Sequence, residues 1–152
     1  MNLKFKFRKY NSRFSRKLLE FVESLSEDTR KRLSLSGIDP KTIHSNLKKC
    51  LPDEQLILLL TDKKIIACGK LTRIDDETWE VSGLVVADSY QRQGFGKRMM
   101  KYLMSLILLN NGKEIILEVK KDNTEALKFY EKLGFKKEKE LIYTYLLRKK
   151  LQ

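Results

Sequence analysis

The stretch that decides the fold is Leu84-Val85-Val86-Ala87-Asp88-Ser89-Tyr90-Gln91-Arg92-Gln93-Gly94-Phe95-Gly96-Lys97-Arg98. An apolar run of strand type ends at Ala87, a polar turn follows, and two glycines open directly into an apolar stripe at Met99, Leu103, Leu106 and Leu109 with helical spacing. The first turn of a helix carries unpaired backbone N–H groups and the positive end of the helix dipole. Glycines at that point let a phosphate approach the backbone, so the turn is a cradle for an anion. Arg92, Lys97 and Arg98 add positive charge beside it. Two common nucleotide motifs are excluded. A dinucleotide fingerprint needs a third glycine where Met99 stands, and a P-loop needs glycine at 91 and Ser or Thr at 98, where the chain has Gln91 and Arg98.

Outward from this stretch, Trp79–Ala87 reads as a strand, Asn110-Asn111-Gly112 as the left-handed end of the helix, and Glu114–Lys120 as a second strand. A strand–helix–strand crossover makes its two strands parallel. Residues 3–8 read as a first strand, 14–24 as a helix with Phe14, Leu18, Phe21, Val22 and Leu25 on one face, and a short helix follows Pro40. Gln55–Leu60 and Lys64–Ile74 form a hairpin around Thr61-Asp62-Lys63. Asp122 or Asn123 caps a helix closed by Gly134, and Lys139–Arg148 alternates as a last strand. The expected fold is α/β, a mixed and mostly antiparallel sheet with one central parallel pair, flanked by helices, in a single domain over residues 1–152.

Composition limits the function classes. Of 152 residues, 41% are hydrophobic and 34% charged, the balance of a soluble globular protein with a charged surface. No apolar run reaches the roughly 18–20 residues that span a bilayer, and the N-terminus reads as strand rather than signal peptide, so no membrane partner and a cytoplasmic location are expected. Cys50 and Cys68 lack metal-type spacing and His44 is the only histidine, so no metal site is expected. The net charge of +12 favours encounter with anions. Basic and aromatic residues do not form a stripe of the RNA-recognition type, so nucleic acid is not the expected partner.

A second segment completes the reading. Gln91-x-x-Gly94-x-Gly96 resembles the Q/R-x-x-G-x-G/A signature of the GNAT superfamily of N-acetyltransferases. Asn123-Thr124-Glu125-Ala126-Leu127-Lys128-Phe129-Tyr130-Glu131-Lys132-Leu133-Gly134-Phe135 resembles that family's N-x-x-A-x-x-x-Y-x-x-x-G-F segment, in the same order along the chain. The resemblance extends over residues 3–148 and is weakest before residue 55, where family members differ.

The resemblance implies acetyl-CoA as cosubstrate and a primary amine as acceptor, on a protein or a small molecule. Backbone amides across Gln93, Gly94, Phe95, Gly96 and Lys97 would hold the pyrophosphate, with Gln91 in the motif and Arg92, Lys97 or Arg98 supplying charge. The backbone of Leu84, Val85 and Val86 would pair with the pantetheine arm, and Asn123 would contact it. Gly83 within the strand fits a bulge that splays the parallel pair. Tyr130 would protonate the departing thiolate, although its helical spacing is also that of a core aromatic. Glu80 is the candidate base, placed by strand alternation on the side of Ser82 and Leu84; an exposed strand-end glutamate would look the same. Glu118 is a weaker candidate, and Asp75, Asp76 and Glu77 read as a solvated turn. A catalytically silent acyl-CoA-binding domain and a basic RNA- or ribosome-binding module are the rival classes. Monomer and homodimer both stay open.

Overall fold

The computed structural model describes residues 4–33, 35 and 37–151. Its strands are β1 (Lys6–Lys9), β2 (Glu54–Leu60), β3 (Ile65–Arg73), β4 (Thr78–Val86), β5 (Glu114–Lys120), β6 (Lys136–Glu140) and β7 (Thr144–Lys150). Its helices are α1 (Ser15–Ser24), α2 (Glu27–Arg32), α3 (Pro40–Lys48), α4 (Phe95–Leu109) and α5 (Thr124–Lys132). The strands form one sheet in the order β1-β2-β3-β4-β5-β7-β6, in which only β4 and β5 pair in parallel. This is the mixed, mostly antiparallel architecture expected from the crossover and hairpins. The expected start of the first strand at Leu3 lies outside the described residues.

Both faces of the sheet are covered, which explains the sequence of its centre. In β2, Ile57 and Leu59 face the cluster built on α4, while Leu56, Leu58 and Leu60 face the cluster built on α1 and α3. A strand buried on both faces reads as an unbroken apolar run rather than an alternating one. α1 buries Leu18, Phe21 and Val22; α4 buries Phe95, Met99, Met100, Leu103 and Ile107. Each such Leu, Ile or Met contributes about 1.5–3 kcal/mol by leaving water. No helix among the described residues is long and apolar enough to cross a membrane.

Two local outcomes differ from the sequence reading. The last element is a hairpin, β6 and β7, rather than one strand. All five residues of β6 are exposed, so its Lys-Lys-Glu-Lys-Glu sequence carries no buried face to reveal it. The apolar residues Leu141, Ile142 and Tyr143, which imitated a continuing strand, occupy the exposed turn. Second, α2 carries no apolar stripe to mark it; its six residues are all polar, although Ser26 caps it and Glu27 and Asp28 sit in its first turn. The acidic turn is exposed, and its own carboxylate orders it: Asp75 accepts from the Glu77 and Thr78 amides at 2.9 and 2.8 Å.

The end of α4 places the left-handed residue at Asn111 (φ 64°), not at the glycine. The Gly112 amide donates to Ile107 and the Asn111 amide to Leu108, the paired bonds of a Schellman motif. Gly112 is required for space: a Cβ there would lie 2.4 Å from Ile107 and 2.6 Å from Trp79. Gly112→Ala is therefore expected to cost about 1–3 kcal/mol through overpacking, read as a lowered denaturation midpoint with unchanged m-value.

Candidate active site

β4 and β5 pair only through Thr78↔Glu114, Trp79↔Ile115 and Glu80↔Ile116. Beyond Glu80 the strands part. The cause lies at Gly83, which adopts φ 59° where the β3–β4 register shifts between Cys68 and Lys70. Two residues, Gly83 and Leu84, stand opposite Gly69 alone, a bulge that bends β4 away from its parallel neighbour.

The bulge also reverses the alternation of side chains. Trp79 and Val81 face α4, and after the bulge Leu84 and Val86 do so, while Val85 turns to the α1–α3 face. The expectation that Glu80 shares a side with Leu84 is thus corrected. Glu80 and Ser82 lie on the α1–α3 face, and Leu84 packs on the opposite one, near Leu103 and Met99.

The parted strands open a cleft with two adjoining lobes. The cradle lobe, ≈ 430 Å³, runs past Leu84, Val85 and Val86 to Gly94, Gly96 and Lys97. The helix lobe, ≈ 440 Å³, extends over Ser82 and Gly83 beneath α1 and α3, with Glu118, Lys120 and Thr144 along the far strand side. Arg32, Leu33, Leu84, Val85, Asn123 and Tyr130 are among the residues lining both, so they mark the junction.

At the cradle, α4 begins with Gly94 at φ 87° and no side-chain cap. The Arg98 amide makes the helical bond back to Gly94, which leaves the Phe95, Gly96 and Lys97 amides directed out of the helix end. A Cβ at Gly94 would meet nothing within 4 Å, and Gly94, Gly96 and Lys97 line the cradle lobe, so the helix end opens on to the cleft. Arg92 is also left-handed (φ 61°), and its exposed side chain lies 3.8 Å from Glu125.

The other anticipated residues divide by role. Phe95 is a core residue, and Arg98 lies over the Phe5 and Phe95 rings at 5.2 and 5.6 Å, outside the cleft. The Gln93 side chain donates to the Ser89 carbonyl. Gln91 donates to the Val86 carbonyl (2.9 Å) and to Thr29 (3.1 Å) and accepts from Arg32 (3.2 Å), so its amide holds the turn rather than reaching into the open space. Asn123 caps α5 by accepting from the Ala126 amide at 3.1 Å and lines both lobes.

Tyr130 stands at the junction, its ring edge-on to Phe129 and Phe135 at 5.1 and 5.6 Å. Burial pushes its phenol well above the usual tyrosine value, so at neutral pH it keeps its proton. Glu80 lines neither lobe, but Ser82 and Glu118 on the same face do. Burial first, then the Glu118 and Glu54 carboxylates, raises its pKa. That moves it towards the range of a general base.

Sequence reading missed α2's contribution. Asp88 accepts from the Ser26 amide (3.0 Å), the Ser26 hydroxyl (2.6 Å) and the buried Thr29 hydroxyl (3.0 Å). Arg32 continues across the cleft to Glu125 at 3.6 Å. α2 is therefore strapped between the cradle turn and the start of α5. The acid-rich start after Ser26 was the available signal. His44 joins α3 to α1, with its Nε2 2.8 Å from the Ser15 carbonyl. Among the described residues no group of His, Cys, Asp and Glu could hold a metal ion.

With this geometry, comparison with known proteins gives the class. Residues 18–135 match the Acetyltransferase (GNAT) family, and the chain belongs to it. It is 35% identical over 66 residues to N-alpha-acetyltransferase 30 of Xenopus laevis, a match covering 43% of this chain and 24% of that relative. The chain thus spans about a quarter of that relative's length. Among solved structures, the GNAT domain of S. lividans PAT superposes with TM-score 0.84 at 14% identity, covering 96% of this chain and 90% of that one. The PaiA N-acetyltransferase of Thermoplasma acidophilum, in complex with coenzyme A, gives TM-score 0.80 at 20% identity, with 97% and 99% covered.

Asp88 offers a test of the strap. Desolvation, its largest single influence, works upward, but the bonds from Ser26 and Thr29 and the charge of Arg32 together hold its carboxyl below the usual range. Its contribution is complete above the unfolded carboxylate value and is lost as pH falls through the lowered folded one. Hydrogen-exchange protection factors of α2, taken relative to the intrinsic rate at each pH, are expected to fall at acid pH in the wild type, and already at neutral pH in Asp88→Asn.

Proposed function

We propose that the protein is an N-acetyltransferase that moves the acetyl group of acetyl-CoA to a primary amine by direct transfer in a ternary complex. The observation that carries this reading is the adjacency of an open helix-end cradle to a parted strand pair with a protonated tyrosine at their junction. The cleft fits the cosubstrate: the helix end carrying the Phe95, Gly96 and Lys97 amides opens on to the lobe, which runs beside Leu84–Val86 and is open rather than closed. Bound there, acetyl-CoA would supply an activated acyl thioester.

The chain's own groups would do the rest. The cradle amides hold the pyrophosphate, with Arg92 and Lys97 adding charge. The β5-facing backbone of Leu84–Val86, released from parallel pairing, holds the pantetheine arm, and Asn123 steadies it. As the amine nitrogen bonds to the acyl carbon and the C–S bond breaks, Tyr130 gives its proton to the departing sulfur. Glu80, beside Glu118 but outside the lobe lining, takes the proton the amine releases through water.

Three variants test these roles. Gly94→Glu fills the cradle with a carboxylate, and calorimetric titration is expected to show acetyl-CoA binding abolished. Tyr130→Phe keeps the ring packing and should bind acetyl-CoA normally while kcat falls by about 10²-fold. In the pH–rate profile, activity should decline as pH falls through the raised Glu80 value, and Glu80→Gln should remove that limb. Acetyl-CoA binding unaffected by Gly94→Glu would place the cosubstrate elsewhere.

A further inference from the structure

The helix lobe has a composition that bears on the acceptor, an inference that rests on the acetyltransferase reading above. Its roof is Leu25, Leu33, Leu35, Ile43 and Leu47, five aliphatic side chains from the α1–α3 region. Leu47 comes closest to the reacting end: its Cδ2 lies 3.8 Å from where a Cβ on Gly83 would stand, directly over the β4 bulge. The surface facing the parted strands at that point is therefore apolar.

The charged groups of the lobe are Arg32, Lys70 and Lys120 against one carboxylate, Glu118. Lys70 is fixed there, its ammonium 3.2 Å from the Lys49 carbonyl and 3.5 Å from that of Asn46 at the end of α3. An excess of cations opposes an acceptor that carries several ammonium groups. An apolar roof beside the reacting nitrogen suits an amine with an apolar side chain on the adjacent carbon, which is the arrangement of an α-amine rather than of a lysine ε-amine.

Proton chemistry agrees. Deprotonating an α-amine at pH 7 costs about 1 kcal/mol, against about 4–5 for a lysine. The lobe's own carboxylate, Glu118, is exposed, and Glu80 lies outside the lining and reaches the amine only through water, an arrangement suited to the smaller cost. The surface outside the mouth extends the match. The β6–β7 turn exposes Ile142 (81%) and Tyr143 (78%). It is tied to the lobe by the Lys121 amide donating to the Tyr143 carbonyl and by the Thr144 hydroxyl donating to Glu118. A small amine would leave this platform unused, whereas a polypeptide would run across it.

We infer that the acceptor is a polypeptide N-terminus whose first residue carries a large apolar side chain, seated beneath Leu47. The test uses five-residue peptides that differ only in a first Met, Leu, Ser or Gly, alongside spermidine and a lysine with blocked α-amine. CoA release and calorimetric binding of each to the CoA-loaded protein are both measured. Met and Leu are expected to exceed Ser and Gly in kcat/KM by about 10–200-fold. Leu47→Ser should bring that preference within about 3-fold while CoA binding is unchanged, which also shows the variant folded. Preferential acetylation of Ser- or Gly-first peptides, of spermidine or of the lysine would overturn the inference and leave the acetyltransferase reading standing. If no amine releases CoA, that reading falls instead, and preferential binding of the Met or Leu peptides would still support the acceptor assignment; equal or absent binding would end it.

Discussion

A parallel strand pair buried at the centre of a sheet normally keeps its backbone hydrogen bonds along its whole length, because unpaired peptide groups are costly once removed from water. Here β4 and β5 keep that pairing for three residue pairs and then give it up. Everything of chemical interest follows from the break. Gly83 takes a left-handed conformation that other residues reach only with strain, the register against β3 slips, and β4 leans away with one edge of its backbone free. The same slip turns Leu84 and Val86 on to α4 and Val85 to the other face, so both layers of the core hold the bent strand in place.

The parted strands alone would be a slot open to solvent, and α2 converts it into a bounded cleft. Gln91 and Asp88, both in the turn that leads to the α4 cradle, spend their side chains on Thr29, Ser26 and Arg32 rather than on the open space. Arg32 in turn reaches Glu125 at the start of α5. The cradle turn, the wall over the helix lobe and the helix that carries Tyr130 are thereby joined by one chain of polar contacts.

Much of this was readable in the sequence, for physical reasons. Gly94 and Gly134 are required by left-handed backbone, and the stripes of α4 and α5 by burial on a 3.6-residue period. Backbone demands of that kind restrict residue choice tightly and leave a pattern. The features that escaped lack such a demand. α2 is held by side-chain hydrogen bonds that many polar sequences could make, and β6 is exposed along its length. The side on which Leu84 lies depends on one extra residue at Gly83, a count that alternation cannot supply without knowing that the bulge occupies two positions.

The bulge also sets the state of a thiol. Cys68 is wholly buried and points at the Gly83 carbonyl at 3.8 Å, and desolvation, against a small opposing pull from Lys70, pushes its pKa to about 12. Cys50 is exposed just beyond α3. The chain therefore carries two thiols of opposite temper, one open to alkylation in the folded state and one shut off until the centre of the sheet opens. A maleimide would decorate the first at once, while the second would count, label by label, each excursion in which β3 and β4 come apart.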